Sequence, residues 1–170
     1  LGNPLWSHAY GGIKQELASG IAINPANEVF ICGKMDSPIL VMGTTTLTTT
    51  LTTGTSYLAK FDQNGSLIWA QRNTKGRISN SRLATDHSGS IYFGGSFLDT
   101  VTIGANMVYS QGGDVFVFKL DGNGNSIWKA QTNSSYSYLS DLTCDKYGNT
   151  FFCGNTSPGA LSLGNYSVVN

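Results

Sequence analysis

Residues 56–69 read SYLAKFDQNGSLIW, and residues 115–128 read VFVFKLDGNGNSIW. Each stretch is an apolar run, then Asp-x-x-Gly, then a second apolar run that ends on tryptophan. The runs are short, aromatic and β-branched, which fits strands rather than helices. Two such runs on either side of Asp-x-x-Gly predict an antiparallel hairpin. Its loop is a type I turn followed by a left-handed residue and a bulge. The Asp side chain accepts backbone N–H groups two residues on, and the Gly supplies positive φ.

The second copy, Asp121-Gly122-Asn123-Gly124-Asn125, also places oxygen side chains at alternate positions, as calcium loops do. A calcium loop of the helix–loop–helix type wants Gly at its sixth position and a bidentate Glu at its twelfth. Counted from Asp121, those positions hold Ser126 and Thr132, and the sister copy has Ser66 where Asn125 stands. The stretch reads as a turn. No metal and no cofactor are expected.

The same punctuation recurs outward from these two hairpins. Asp86–Gly89 and Asp145–Gly148 carry it, and Asn24-Pro25-Ala26-Asn27 is a fifth instance with Asn at both special positions. The structural turn residues are therefore Asn24, Asn27, Asp62, Gly65, Asp86, Gly89, Asp121, Gly124, Asp145 and Gly148. GIAINPANEVFICG (20–33), RLATDHSGSIYFGG (82–95) and DLTCDKYGNTFFCG (141–154) align around three of these turns, with Gly33, Gly95 and Gly154 in one column. Trp6, Trp69 and Trp128 are spaced by 63 and 59 residues. A repeat of four short strands, a to d, accounts for this order. The expected boundaries are 1–12 for the end of a preceding unit, 13–73 and 74–133 for two nearly complete units, and 134–170 for a partial one. The connections between strands b and c vary most. The Thr-rich run 42–56 is expected to be strand, like its counterpart 98–114.

Composition narrows the function classes. Ten basic and ten acidic residues give zero net charge, and charged residues are only 12% of the chain. No basic stripe exists for nucleic acid, and no electrostatic term favours a membrane surface. No apolar run is long enough to span a bilayer as a helix. The start at Leu1, without Met or signal peptide, suggests a processed or partial chain. Cys32, Cys144 and Cys153 are odd in number. With a three-residue turn, Cys144 faces Thr150 and Cys153 points to the opposite side, so buried thiols are expected rather than a bridge.

Four short antiparallel strands repeating every sixty or so residues suggest β-propeller blades. The stretches 114–128 (DVFVFKLDGNGNSIW) and 141–154 resemble the bacterial SBBP-type β-propeller repeat. The first copy departs from it at Thr55, where Asp114 stands in the second, and at Asn27. The resemblance implies a large, exported or cell-surface bacterial protein, and carries over no catalytic residues. The expected fold class is all-β, a propeller segment of two nearly complete blades plus partial flanking ones. Other blades of a longer chain, or other copies of itself, are the expected partners that close the ring. A protein or polysaccharide ligand is the expected external partner.

Other candidates have a structural reading. Trp6, Trp69 and Trp128 recur at one position beside apolar neighbours, which points to core packing between blades rather than to sugar stacking. Lys60 and Lys119 are expected to snorkel from strand c. His87 lies within a turn and His8 on a strand d, neither with a metal partner at ligand spacing. Asp99-Thr100-Val101 matches a bacterial O-glycosylation pattern, which makes Thr100 a candidate modification site. The expected function is a non-enzymatic structural or interaction module, with contacts from 36–56 and 98–113. The alternatives are a polysaccharide hydrolase or lyase on a propeller scaffold, marked by paired carboxylates in a channel, and a self-assembling surface filament subunit.

Overall fold

The computed structural model describes residues 2–52, 54–104, 106–134, 136–158, 160–163 and 166–169. The strands, in chain order, are β1 (Glu16–Ile23), β2 (Val29–Met35), β3 (Ile39–Met42), β4 (Thr45–Thr48), β5 (Thr55–Phe61), β6 (Leu67–Arg72) and β7 (Arg77–Thr85). They continue with β8 (Ile91–Ile103), β9 (Asn106–Leu120), β10 (Ser126–Asn133), β11 (Ser137–Cys144), β12 (Thr150–Thr156), β13 (Ala160–Leu163) and β14 (Tyr166–Val169). The described residues contain no helix, and so none long and apolar enough to cross a membrane. The protein is all-β, and every pairing is antiparallel.

Two sheets share one meander. The first runs β1-β2-β5-β6, and the second contains β7-β8-β9-β10 and extends through β13 and β14. β11 and β12 form a separate pair, as do β3 and β4. Tight turns at one end set this order. In all five, the first residue's carbonyl accepts the N–H of the fourth and its N–H reaches the fifth carbonyl, as in Asp62 with Gly65 (3.0 Å) and Ser66 (2.9 Å). The fourth residue has positive φ each time: 58° at Asn27, 82° at Gly65, Gly89 and Gly124, and 84° at Gly148.

A second irregularity recurs at the other end. The ladders of β1, β7 and β11 each slip, between Ala18 and Gly20, Ser79 and Arg82, and Leu139 and Asp141. Ser19, Ser81 and Ser140 sit in these bulges. A bulge pushes backbone out of the pleat toward the partner strand. The carbonyls of Leu17 and Tyr138 lie where a Cβ on Gly33 and Gly154 would be, and Ile78 crowds Gly95 at 2.8 Å. The glycine column is thus set by the bulge opposite it.

Strand alternation turns the sheets into stacked layers. Phe30, Cys32 and Leu58 pack against Ile78, Leu83 and Phe93 between the first two sheets. On the far side of the first sheet, Met35, Leu40, Met42 and Tyr57 pack with Trp6 and Tyr10. Tyr92 and Val117 pack against Leu142 between the second sheet and β11–β12. Full burial of a side chain such as Phe30 contributes roughly 2–3 kcal/mol.

Two expectations change here. His8 does not lie on a strand, because no described strand pairs with residues 2–12. The segment packs instead through its rings, Trp6 against His8 and His8 against Tyr10 on one side of the chain. Among the described residues of the Thr-rich run, Met42, Thr45–Thr48 and the residues from Thr55 are strand; Gly43 (φ 56°) turns the hairpin and 49–52 are irregular. The counterpart 98–114 extends β8 and β9 into one long ribbon.

The thiols also differ in burial. Cys144 pairs with Thr150 and Cys153 with Asp141, and all three cysteines are free. Cys32 is buried between sheets, whereas Cys153, at the same place in its hairpin, is exposed because no described sheet lies against that face. Burial, with the nearby Asp86 and Asp145 charges, pushes the Cys144 thiol up to about 11. Burial also raises Cys32. Iodoacetamide at pH 8 is expected to label Cys153 first, Cys144 more slowly, and Cys32 only on unfolding, a sequence that peptide mass mapping over time would read.

Candidate functional site

The seams between sheets hold most of the polar chemistry. Along one seam the serine bulges meet: the hydroxyls of Ser19 and Ser81 are 2.6 Å apart. Arg82 spans all three layers, donating to the carbonyls of Ser19 (3.4 Å) and Ser140 (2.9 Å). Asn80, held at φ 50°, donates to the Leu139 carbonyl, and Leu139 N–H donates to Ser96. Two clefts open beside these contacts. One of about 190 Å³ is lined by Ser19, Lys34, Ser56, Arg77, Ser79 and Ser81, and one of about 160 Å³ by Arg77, Ser79, Ser96, Tyr136, Ser137 and Tyr138. Their polar lining is hydroxyls, the Asn80 amide and two cations, without a carboxylate, beside Leu17, Ile78, Phe97 and Leu98. The serine column escaped sequence reading. Its signal was Ser19, Ser81 and Ser140 preceding the aligned blocks in all three copies.

At the turn end, the carboxylates are committed to the fold. Asp86 is 5% exposed. It accepts from Ser88 N–H and hydroxyl, Ser90 N–H, the Tyr92 hydroxyl (2.9 Å) and Lys119 (3.2 Å). Burial alone would raise its pKa, but these donors outweigh it and hold the carboxyl at about 2. The first sheet solves the same problem differently. Asn24 keeps the turn contacts, accepting from Ala26 and Glu28 N–H, and Glu28 supplies the charge, 2.9 Å from Lys60. Lys60 and Lys119 therefore do not simply snorkel. Each is ion-paired, and each lies over a ring, Phe30 at 5.5 Å and Tyr92 at 5.1 Å. The exchange of Asp86/Ser90 for Asn24/Glu28 was the sequence signal.

Asp121 Oδ1 accepts from the backbone of Asn123 (2.8 Å) and Asn125 (2.9 Å), and Oδ2 accepts from the Asn125 amide. The Asn125 backbone leads in lowering its pKa. Asp145 holds Tyr147, Asn149 and the Asn149 amide in the same way. Among the described residues, no group of three His, Cys, Asp or Glu could hold a metal ion. His87 is exposed and lines an open cleft of about 400 Å³ with Asn24, Glu28, Ser88 and Asp121.

The tryptophans work across the seams. Trp6 Nε1 donates to the Gln63 carbonyl (3.1 Å), and its ring lies against Gly65. Trp69 Nε1 donates to the Gly122 carbonyl (3.2 Å), and its ring lies against Gly124. Both are half-buried. Trp128 differs from the core placement expected of it: it is 38% exposed, with Tyr92 at its edge. No described Asp-x-x-Gly turn faces its indole. Thr100 is half-buried on the long ribbon, its hydroxyl donating to Asp99. Nearby, Leu98, Met107 and Tyr109 are exposed, as are Ile39 and Val41 on the β3–β4 hairpin.

No protein-family model matches the chain, and no curated protein matches it.

Proposed function

We propose that the chain is a segment of a β-propeller, of the type the SBBP-like stretches suggest, serving as a non-enzymatic interaction module of an exported or cell-surface protein. The observation that carries this reading is the division of labour within each sheet. The polar groups of the turns and bulges bond largely to one another, beside the apolar packing between sheets. The b–c hairpins differ in length and hold Ile39, Val41, Leu98, Met107 and Tyr109 in water. A rigid stack that leaves apolar and aromatic side chains on its most variable connections is arranged for recognition.

The test is a binding screen of the 170-residue chain on immobilised polysaccharides and on bacterial surface protein, beside Met107→Ser/Tyr109→Ser. A partner bound by the parent and at least ten-fold more weakly by the variant supports the reading. Binding indifferent to these side chains, or release of reducing ends from a polysaccharide, would reject it.

A further inference from the structure

Of the five recurring turns, only the one between β1 and β2 opens on an amide, Asn24, and only that one has a glutamate at its fifth position, Glu28. Asn24 and Lys60 are buried, Glu28 is half-buried, and Lys60 lies opposite the buried Phe30 in the β2–β5 ladder. One Glu28 oxygen, Oε2, accepts from both Lys60 Nζ (2.9 Å) and Asn24 Nδ2 (2.7 Å). The amide's own oxygen, Oδ1, accepts the N–H groups of Ala26 and Glu28, each at 3.0 Å. Pro25 follows Asn24, so the next residue has no N–H with which to attack that amide and close a cyclic imide. Burial pushes the Glu28 carboxyl up, but the Lys60 and Asn24 donors outweigh it and hold it below its usual value. The resting pair therefore presents the base form of Glu28.

These groups are the parts of an amide exchange. Lys60 is the amine, the Asn24 side chain is the acyl group, and Glu28 bonds both the entering and the leaving nitrogen. We infer that Lys60 and Asn24 join covalently, as an amide between Nζ and Cγ formed with loss of ammonia. Glu28 takes a proton from the Lys60 ammonium and leaves a neutral amine. The Nζ lone pair attacks Cγ, and the charge that grows on Oδ1 is held by the Ala26 and Glu28 N–H groups. Glu28 returns its proton to Nδ2, and the Cγ–Nδ2 bond breaks. A second Nζ proton leaves with the departing nitrogen as ammonium, and Glu28 ends as the carboxylate it began as. Nothing is oxidised or reduced, and no co-reactant enters. The second sheet lacks this set: Asp86 offers Lys119 an ionised carboxylate rather than an amide, and Ser90 stands where Glu28 does. The bond ties the β1–β2 turn to β5 across the first sheet, and unlike a disulfide it survives reduction. It depends neither on the propeller reading nor on a ligand at the b–c hairpins.

The test is the intact mass of the purified 170-residue chain after prolonged incubation in the folded state. It is expected to lie about 17 Da, one ammonia, below the sequence mass. Trypsin should then release one branched peptide that joins 15–34 to 35–72 and is uncut at Lys60. Lys60→Arg keeps the charge opposite Glu28 but offers no primary amine, and Glu28→Gln keeps the shape but accepts no proton. Both variants are expected at full sequence mass, with circular dichroism as the check on their folding. A parent chain at full sequence mass overturns the inference. So does a mass loss that maps to Asn64-Gly65 or Asn123-Gly124, where a cyclic imide loses the same ammonia without joining two peptides. A Glu28→Gln chain that still yields the branched peptide overturns the role of Glu28. Should a variant not fold, the parent's peptide map alone decides whether the bond exists.

Discussion

Asp86→Asn is expected to lower unfolding free energy by about 2–3 kcal/mol, because Lys119 and Tyr92 lose the carboxylate that they surround while the turn itself survives. Asn serves the turn at position 24, so the backbone contacts of Ser88 and Ser90 should persist. The rescue is written in the first sheet. Adding Ser90→Glu and Tyr92→Phe recreates the Asn24, Glu28 and Phe30 arrangement, and should bring stability back to within about 1 kcal/mol of the parent. Urea denaturation at pH 7 measures both. A triple variant no more stable than Asp86→Asn would show that the two arrangements are not interchangeable. The pH dependence has a definite sign. The Asp86 carboxyl titrates at about 2 in the folded protein, against an ordinary value of 3.8. Its contribution, about 2 kcal/mol, is therefore complete above pH 4 and is lost as pH falls through 2. In Asp86→Asn this part of the acid limb should flatten.

Gly33→Ala should be at least as costly, about 3 kcal/mol, and for a different reason. Its φ is not positive, so the residue is not needed for backbone freedom. The added methyl would overlap the Leu17 carbonyl and come within 2.8 Å of the Tyr57 hydroxyl. A carbonyl fixed in a ladder cannot give way as a side-chain tip can. Gly104→Ala is the control: φ is 57° there, but nothing lies within 4 Å of the new atom. Strain alone should cost it about 1 kcal/mol. Comparable midpoints for the two variants in urea would mean that the bulge opposite Gly33 is soft.

The turns were legible because each makes a demand on the backbone that few residues meet. Asp, Asn and Gly at fixed offsets state positive φ and a side-chain acceptor almost directly. The strands around them were legible by alternation. The bulges were not, since a bulge is a count of two residues against one in a ladder, and serine has no special claim to it. Only its consequence, the glycine column, showed in the sequence. The lysines were misread in part because a snorkelling lysine and a paired one look alike in one copy. Comparing copies separates them: where the turn lacks Asp, Glu appears four residues later. His8 follows Trp6 in a pattern that reads as strand, but a strand exists only where another strand accepts its hydrogen bonds, and none described does so at residues 2–12.

The tryptophan contacts have a direction. Trp6 reads a turn later in the chain, and Trp69 reads the next one, so each of the two seams they cross has a donor side and an acceptor side that differ. A two-fold axis would place donor against donor and leave both indoles unanswered. Any assembly that uses these surfaces must therefore run head to tail, with its geometry set by a repeated rotation rather than by a dyad.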